Sequence, residues 1–144
     1  MKKIFRGLLG VLFLGMIFNC SSVPVKNPSI QREWMLISFG NFSKDQMVKN
    51  KASINLTAKM DGGKIKGGAF MGCDRMFFTG EFRNNGKMKI SGLGSTMMAC
   101  QDMKLESAFA RSFERIINYS IDGHFLTLSD DKGVVMKFVA SDWD

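Results

Sequence analysis

The sequence predicts a mainly β (α+β) domain, an antiparallel curved sheet or small barrel with one packed α-helix at about residues 102–117. Apolar and polar residues alternate with period two from Arg32 onward, and turn signals interrupt them at short intervals, the pattern of an antiparallel sheet. One stretch, between Asp102 and Asn118, departs from that rhythm and follows helical spacing. The chain has 144 residues, 45% apolar and 23% charged, which leaves room for one domain and fits neither a disordered tail nor a polytopic membrane protein.

Residues 1–19 read as an export signal. Lys2, Lys3 and Arg6 precede an uncharged apolar run from Gly7 to Phe18, and a basic start before a short apolar core marks a secretory signal. The run is shorter than the roughly 17 to 25 residues of a membrane-crossing helix. Met16-Ile17-Phe18-Asn19-Cys20 resembles the bacterial lipobox, in which the cysteine becomes the acylated first residue of the mature chain. Phe18 and Asn19 stand where a typical lipobox carries small residues. Lipidation of Cys20, palmitate included, is therefore the expectation, against a plain secreted protein with a free cysteine or an uncleaved single-helix anchor. Residues 20–31 hold both prolines, Pro24 and Pro28, and no periodicity, so they read as a lipidated N-terminus and extended tether.

The domain is expected over residues 32–140, with residues 141–144 as a tail. Glu33 to Phe39 opens the sheet. Ile54, Leu56, Ala58 and Met60 share one face of a second strand, with Ser53, Asn55, Thr57 and Lys59 on the other. Asp61-Gly62-Gly63-Lys64 turns the chain into a strand from Ile65 to Phe70. Phe78, Gly80 and Phe82 alternate with Thr79, Glu81 and Arg83, Asn84-Asn85-Gly86 turns again, and Met88 and Ile90 continue on the partner strand. In the helical stretch Leu105, Phe109, Phe113, Ile116 and Ile117 form one stripe. Asp102 is placed to cap the first amides, and Glu106 lies in the first turn, where the helix dipole favours negative charge. A last hairpin joins His124 to Leu128 with Val134 to Phe138 across Asp130-Asp131-Lys132-Gly133.

With Cys20 lipidated, Cys73 and Cys100 remain, in a compartment where disulfides persist. A Cys73–Cys100 bridge is expected, and closing so long a loop contributes ~3 to 4 kcal/mol in the chain-entropy picture. Two buried free thiols, or a metal or redox pair, are the rival readings. The chain has no CxxC, and its one histidine is His124, so zinc ligands are not visibly gathered.

Several of these residues form a recognisable order: Trp34-x-Leu36, then Gly67-Gly68-x-x-x-Gly72-Cys73-Asp74, then Phe78-x-Gly80, then Ser95-Thr96-Met97-Met98-Ala99-Cys100, with Glu106 and Phe109 in the helix. From Arg32 to Val139 the chain resembles the META (HslJ-like) domain family. The family pattern usually has Asn after the first Cys, where this chain has Asp74. The resemblance implies a compact, mostly β domain in a bacterial envelope lipoprotein, with Trp34, Gly72, Cys73, Asp74, Gly80, Thr96, Ala99 and Cys100 as its motif positions. It also implies loose links to heat shock, antibiotic tolerance and virulence, and brings no established catalytic activity.

Composition narrows the chemistry further. The formal charge of +7 falls to +4 without residues 1–19, and the remaining lysines are interleaved with apolar residues rather than clustered, which argues against a nucleic-acid partner. Nucleophilic catalysis would need His124 beside Ser95, Thr96 or an unpaired Cys100; a glycosidase would need two carboxylates facing one cleft; no spacing points to either. Asp130 and Asp131 belong to a turn rather than a Ca²⁺ loop. The ten methionines left after residue 19, with Met71, Met76, Met97, Met98 and Met103 near the two cysteines, read as core fillers rather than Cu(I) ligands; exposed together they would make a sticky peptide-binding surface. Trp34 reads as a core or barrel-closing aromatic, and Trp143 has no evident place in the alternation.

These readings combine into a monomeric, non-enzymatic, lipid-anchored envelope protein, without cofactor or metal, that supports envelope integrity or stress tolerance by binding another envelope protein or ligand. Ser21 after Cys20 lacks an Asp-type retention signal, which favours the outer membrane. The alternative is an enzyme-inhibiting module of the lysozyme-inhibitor type, acting by inserting a loop into a cleft.

Overall fold

A computed structural model of the chain describes residues 29–143. The signal segment and Cys20 lie outside the described residues. Strand β1 (Glu33–Phe39) carries Trp34, Leu36 and Phe39 inward. Strict alternation would bury Ser38 instead, but the register against the last strand shifts between Leu36 and Ser38, and this extra residue turns Phe39 into the core. Helix α1 (Lys44–Lys49) follows, capped by Ser43, whose Oγ accepts from the Gln46 amide at 3.1 Å. It was not expected from the sequence, because six residues that bury only Met47 carry too few apolar positions to show a helical period.

The remaining elements are β2 (Ser53–Asn55), β3 (Lys64–Phe70), β4 (Arg75–Phe82), β5 (Met88–Ser95), α2 (Lys104–Phe113), β6 (Asn118–Asp122), β7 (Phe125–Ser129) and β8 (Val135–Ala140). The eight strands form one sheet in the order β5-β4-β3-β2-β1-β8-β7-β6, with every pairing antiparallel. The sheet curls into a half-barrel until its outer strands approach at one corner. There the Met88 amide donates to Ile117 O at 2.9 Å, Tyr119 N to Gly86 O at 2.8 Å, and Lys87 Nζ to Asn118 Oδ1 at 2.7 Å.

Helix α2 fills the concave side. Its Phe113 meets Phe78 of β4 edge-on with ring centres 4.8 Å apart and stacks on Phe109, whose edge meets Phe39 of β1. The apolar stripe Leu105, Phe109, Phe113 and Ile116 is fully buried, so the amphipathic period lies where the alternation breaks. The helix is shorter than the expected 102–117. Asp102 does receive an amide, from Lys104 at 3.1 Å, but Met103 occupies the cap position. At the other end the chain leaves the helix after Phe113, Ile116 remains in the core, and Ile117 turns out to join the sheet through Ser129.

Two further boundaries differ from the expectation. The second strand stops at Asn55, where Asn55 Oδ1 takes the Thr57 amide and hydroxyl; Ile54 and Leu56 are buried but Ala58 is exposed. The packed body also begins before Arg32. Ile30 is in the core and its carbonyl accepts from Trp34 Nε1 at 3.1 Å, while Gln31 Nε2 donates to Ala58 O at 2.8 Å. No helix among the described residues is long and apolar enough to cross a membrane.

Candidate functional site

Three separate segments converge beneath one rim of the half-barrel: the β3–β4 connection with Gly72, Cys73 and Asp74, the β5–α2 loop from Thr96 to Met103, and the first turn of α2. Gly72 has φ +114°, and a Cβ there would lie 2.8 Å from the Asn50 side chain, so the turn before Cys73 demands glycine on both counts. Cys73 and Cys100 form a disulfide with Cα atoms 6.1 Å apart across 27 positions of sequence. This ties the β5–α2 loop to the β3–β4 connection.

Asp74 fastens the same loop a second time. Its buried carboxylate Oδ1 accepts from the Thr96 hydroxyl and from the Met98 amide, each at 2.8 Å. Thr96 is gripped from below as well, since its Oγ1 accepts from Arg75 N at 3.1 Å and its amide donates to Arg75 O at 3.0 Å. The Asp74 amide in turn donates to Glu106 Oε2 at 2.7 Å, joining helix to turn.

These contacts push the two carboxyls apart in acidity. The Thr96 hydroxyl, followed by the Met98 amide, holds Asp74 below its ordinary value against the opposing effect of burial. Burial raises Glu106, and the neighbouring Asp74 carboxylate raises it further. A single proton on the pair is therefore held by Glu106 rather than by Asp74.

A donor set of Cys73, Asp74 and Glu106 lies within 4.8 Å, but the sulfur is bonded to Cys100, so the oxidised protein offers two carboxylates there and no thiolate. Of the candidate nucleophiles, Cys100 is committed to its disulfide and the Thr96 hydroxyl to Asp74, while Ser95 is exposed at the end of β5, opposite Met76. His124 stands exposed in the β6–β7 turn with its ring stacked on Trp143 at 5.2 Å, and Trp143 also meets Phe125 edge-on. The tail thus docks on a surface hairpin.

The outcome of all this fastening is an outward-facing loop tip. Met97 is 99% exposed and Met98 58%, with Ala99 exposed beside them. Phe77, also 58% exposed, lies over Gly94 of β5, where a Cβ would sit 2.4 Å from its ring. Its sequence signal was an aromatic in phase with the polar residues Thr79 and Glu81. The other motif positions serve the interior. Trp34 has no solvent exposure, and a Cβ on Gly80 would lie 2.9 Å from the Phe82 ring. Met71 and Met76 are core residues, so the methionines divide between packing and display.

A family model described as META domain matches residues 28–143. No curated protein matches the chain. Among solved structures, an NMR structure of a protein from Burkholderia xenovorans is 22% identical, with TM-score 0.62 over 81% of this chain and 86% of that one. A second NMR structure is 22% identical, with TM-score 0.58 over 80% and 93%. A crystal structure of a DUF4847 family protein from Bacteroides vulgatus is 13% identical, with TM-score 0.51 over 81% and 96%. These likenesses concern the fold.

Proposed function

The chain belongs to the META domain family, and from that membership we propose that it acts as a non-enzymatic binding protein of the bacterial envelope, anchored by lipid on Cys20 and engaging another envelope component through the Met97–Met98 tip. The observation that carries this reading is Met97, almost wholly exposed on a loop held by a disulfide and by Asp74. A loop whose backbone is already fixed loses little backbone freedom on binding, and methionine adapts its shape to the surface it meets.

The strand register relates the tip to the start of the domain. Glu33, Asn55, Gly68, Phe77 and Gly94 lie in one row across the sheet, and β1 runs away from that row in the direction in which β5 runs toward the loop. The start of β1 and the end of β5 thus lie in the same row four strands apart, with the methionine tip continuing beyond it in the direction β5 runs.

Two measurements test this. Radiolabelled palmitate is expected in the wild-type chain and absent from Cys20→Ala. A photo-crosslinking side chain at position 97, in native envelopes, is expected to capture one discrete product that Met98→Asp abolishes. No label in the wild type, or crosslinks indifferent to Met98→Asp, overturns the reading. The fixed tip also favours a second reading, in which the same loop enters the cleft of a wall-degrading enzyme; inhibition of lysozyme lost in Met97→Asp would select it.

A further inference from the structure

On the outer face of the half-barrel an open groove of about 560 Å³ crosses strands β1 to β4 and ends at Arg75 and Met76, next to the Thr96 segment with which Arg75 pairs. Ser53, Asn55 and Phe70 line its middle, Glu33 stands on one side and Arg75 on the other, and Gly68 forms part of the floor. The volume is in the range of small-ligand sites.

Gly68 is the informative residue. Its neighbour Gly67 is explained by folding, since a Cβ there would lie 2.5 Å from the Phe78 ring and 3.0 Å from Leu56. No such demand falls on Gly68. Its φ is not in the left-handed region, and a Cβ would meet only Met76 O at 3.6 Å, an ordinary contact. Glycine weakens a strand interior unless another backbone or a ligand approaches, and here its effect is to leave the groove open between Asn55 and Phe77, its cross-strand neighbours.

The walls define what fits. Glu33 and Arg75 make no ion pair among the described residues. The Asn55 Oδ1 is occupied by Thr57, so its NH₂ is the group it offers. The groove thus has an anion at one end, a cation at the other, and polar and aromatic groups between. Glu33 and Arg75 are three strand spacings and one two-residue step apart, or ~16 Å between Cα atoms. An extended chain of three residues covers ~10 Å, and the long glutamate and arginine side chains make up the rest of that interval.

We propose that this groove binds a short peptide, about three residues long, with both termini free: its ammonium group at Glu33, its carboxylate at Arg75, and its middle side chain against Phe70 over Gly68. A guanidinium takes a terminal carboxylate in two parallel hydrogen bonds, which sets the direction of the peptide. The site is independent of the reading of the Met97–Met98 tip.

Calorimetric titration of the full chain in detergent with Ala-Leu-Ala, N-acetyl-Ala-Leu-Ala and Ala-Leu-Ala amide tests this. Saturable binding of the free peptide is expected, weakened at least tenfold by either cap. Glu33→Gln is expected to erase the discrimination against the acetylated peptide only, and Arg75→Gln that against the amide only; both positions are on the surface and leave the melting temperature unchanged. Gly68→Val closes the floor and is expected to abolish binding without lowering the melting temperature. Absence of saturable binding at millimolar peptide, equal affinity for free and capped peptides, or undiminished binding in the two charge variants overturns the proposal.

Discussion

Glu106 and Asp74 illustrate how two buried carboxyls divide a pH range. Asp74 is held below its ordinary pKa by Thr96, so its contribution to stability is complete above the unfolded carboxylate range and is lost as pH falls through its folded value. Glu106 is raised by burial, so its contribution is complete below the ordinary glutamate value and is lost as pH rises through its raised value. Asp74 thus gives the stability curve an acid limb and Glu106 an alkaline one. Glu106→Gln keeps an acceptor for the Asp74 amide and cannot ionise; it is expected to remove the alkaline limb of melting temperature against pH and leave the acid limb in place. An alkaline limb unchanged in the variant would assign it to other groups. Asp74→Asn, the residue usual in the family pattern, retains the acceptor for Thr96 and Met98 and removes the charge that raises Glu106, so the alkaline limb is expected to shrink and the acid limb to fall back to the part that Asp130 supplies, whose carboxyl is held below its ordinary value, against the effect of burial, by the Val134 and Lys132 amides. None of this coupling was legible in the sequence, because Asp74 and Glu106 are 32 positions apart and only the folded helix brings them together. The cysteine pair was legible from the count of cysteines and the expected export of the chain.

Among the elements, α2 is the plug on which the curl of the sheet closes. Phe113→Ala removes a buried ring that touches both Phe78 and Phe109, and chemical denaturation is expected to show a loss of ~3 to 5 kcal/mol. Reduction of Cys73–Cys100 is expected to cost ~3 to 4 kcal/mol, and because Asp74 still holds Thr96 and Met98, the body stays folded while the loop around Met97 becomes the first site of proteolysis. Cleavage elsewhere first would show that the bridge guards a different segment. Strands β1, β4, β7 and β8 were legible because each buries one face and exposes the other, the alternation that registers in sequence. Strand β6 was not. It lies at the sheet margin with Tyr119 and Ile121 only half-buried, and the apolar pair Ile116-Ile117 just before it prolongs the helical stripe past the true helix end. A helix whose last apolar residue sits in the core outside the helix reads too long from spacing alone.

For the whole molecule, the packed body includes residues that composition assigned to the tether. A chain starting at Arg32 loses Ile30, its carbonyl partner for Trp34, and the Gln31 link to Ala58. Relative to a chain starting at Ser29 it is expected to be ~2 to 5 kcal/mol less stable, the range for deleting a large buried aliphatic side chain, measured by denaturant midpoint; equal midpoints would show that Ile30 rests on the domain without supporting it. Trp34 lies opposite Ala140, so the beginning and end of the fold emerge side by side, while β1 itself is held between β2 and β8 near the middle of the sheet. Tension applied to the amino-terminal end along the direction of β1 therefore runs lengthwise through an interior strand. Both flanking ladders must then slip in shear, many bonds at once, instead of unzipping one rung at a time.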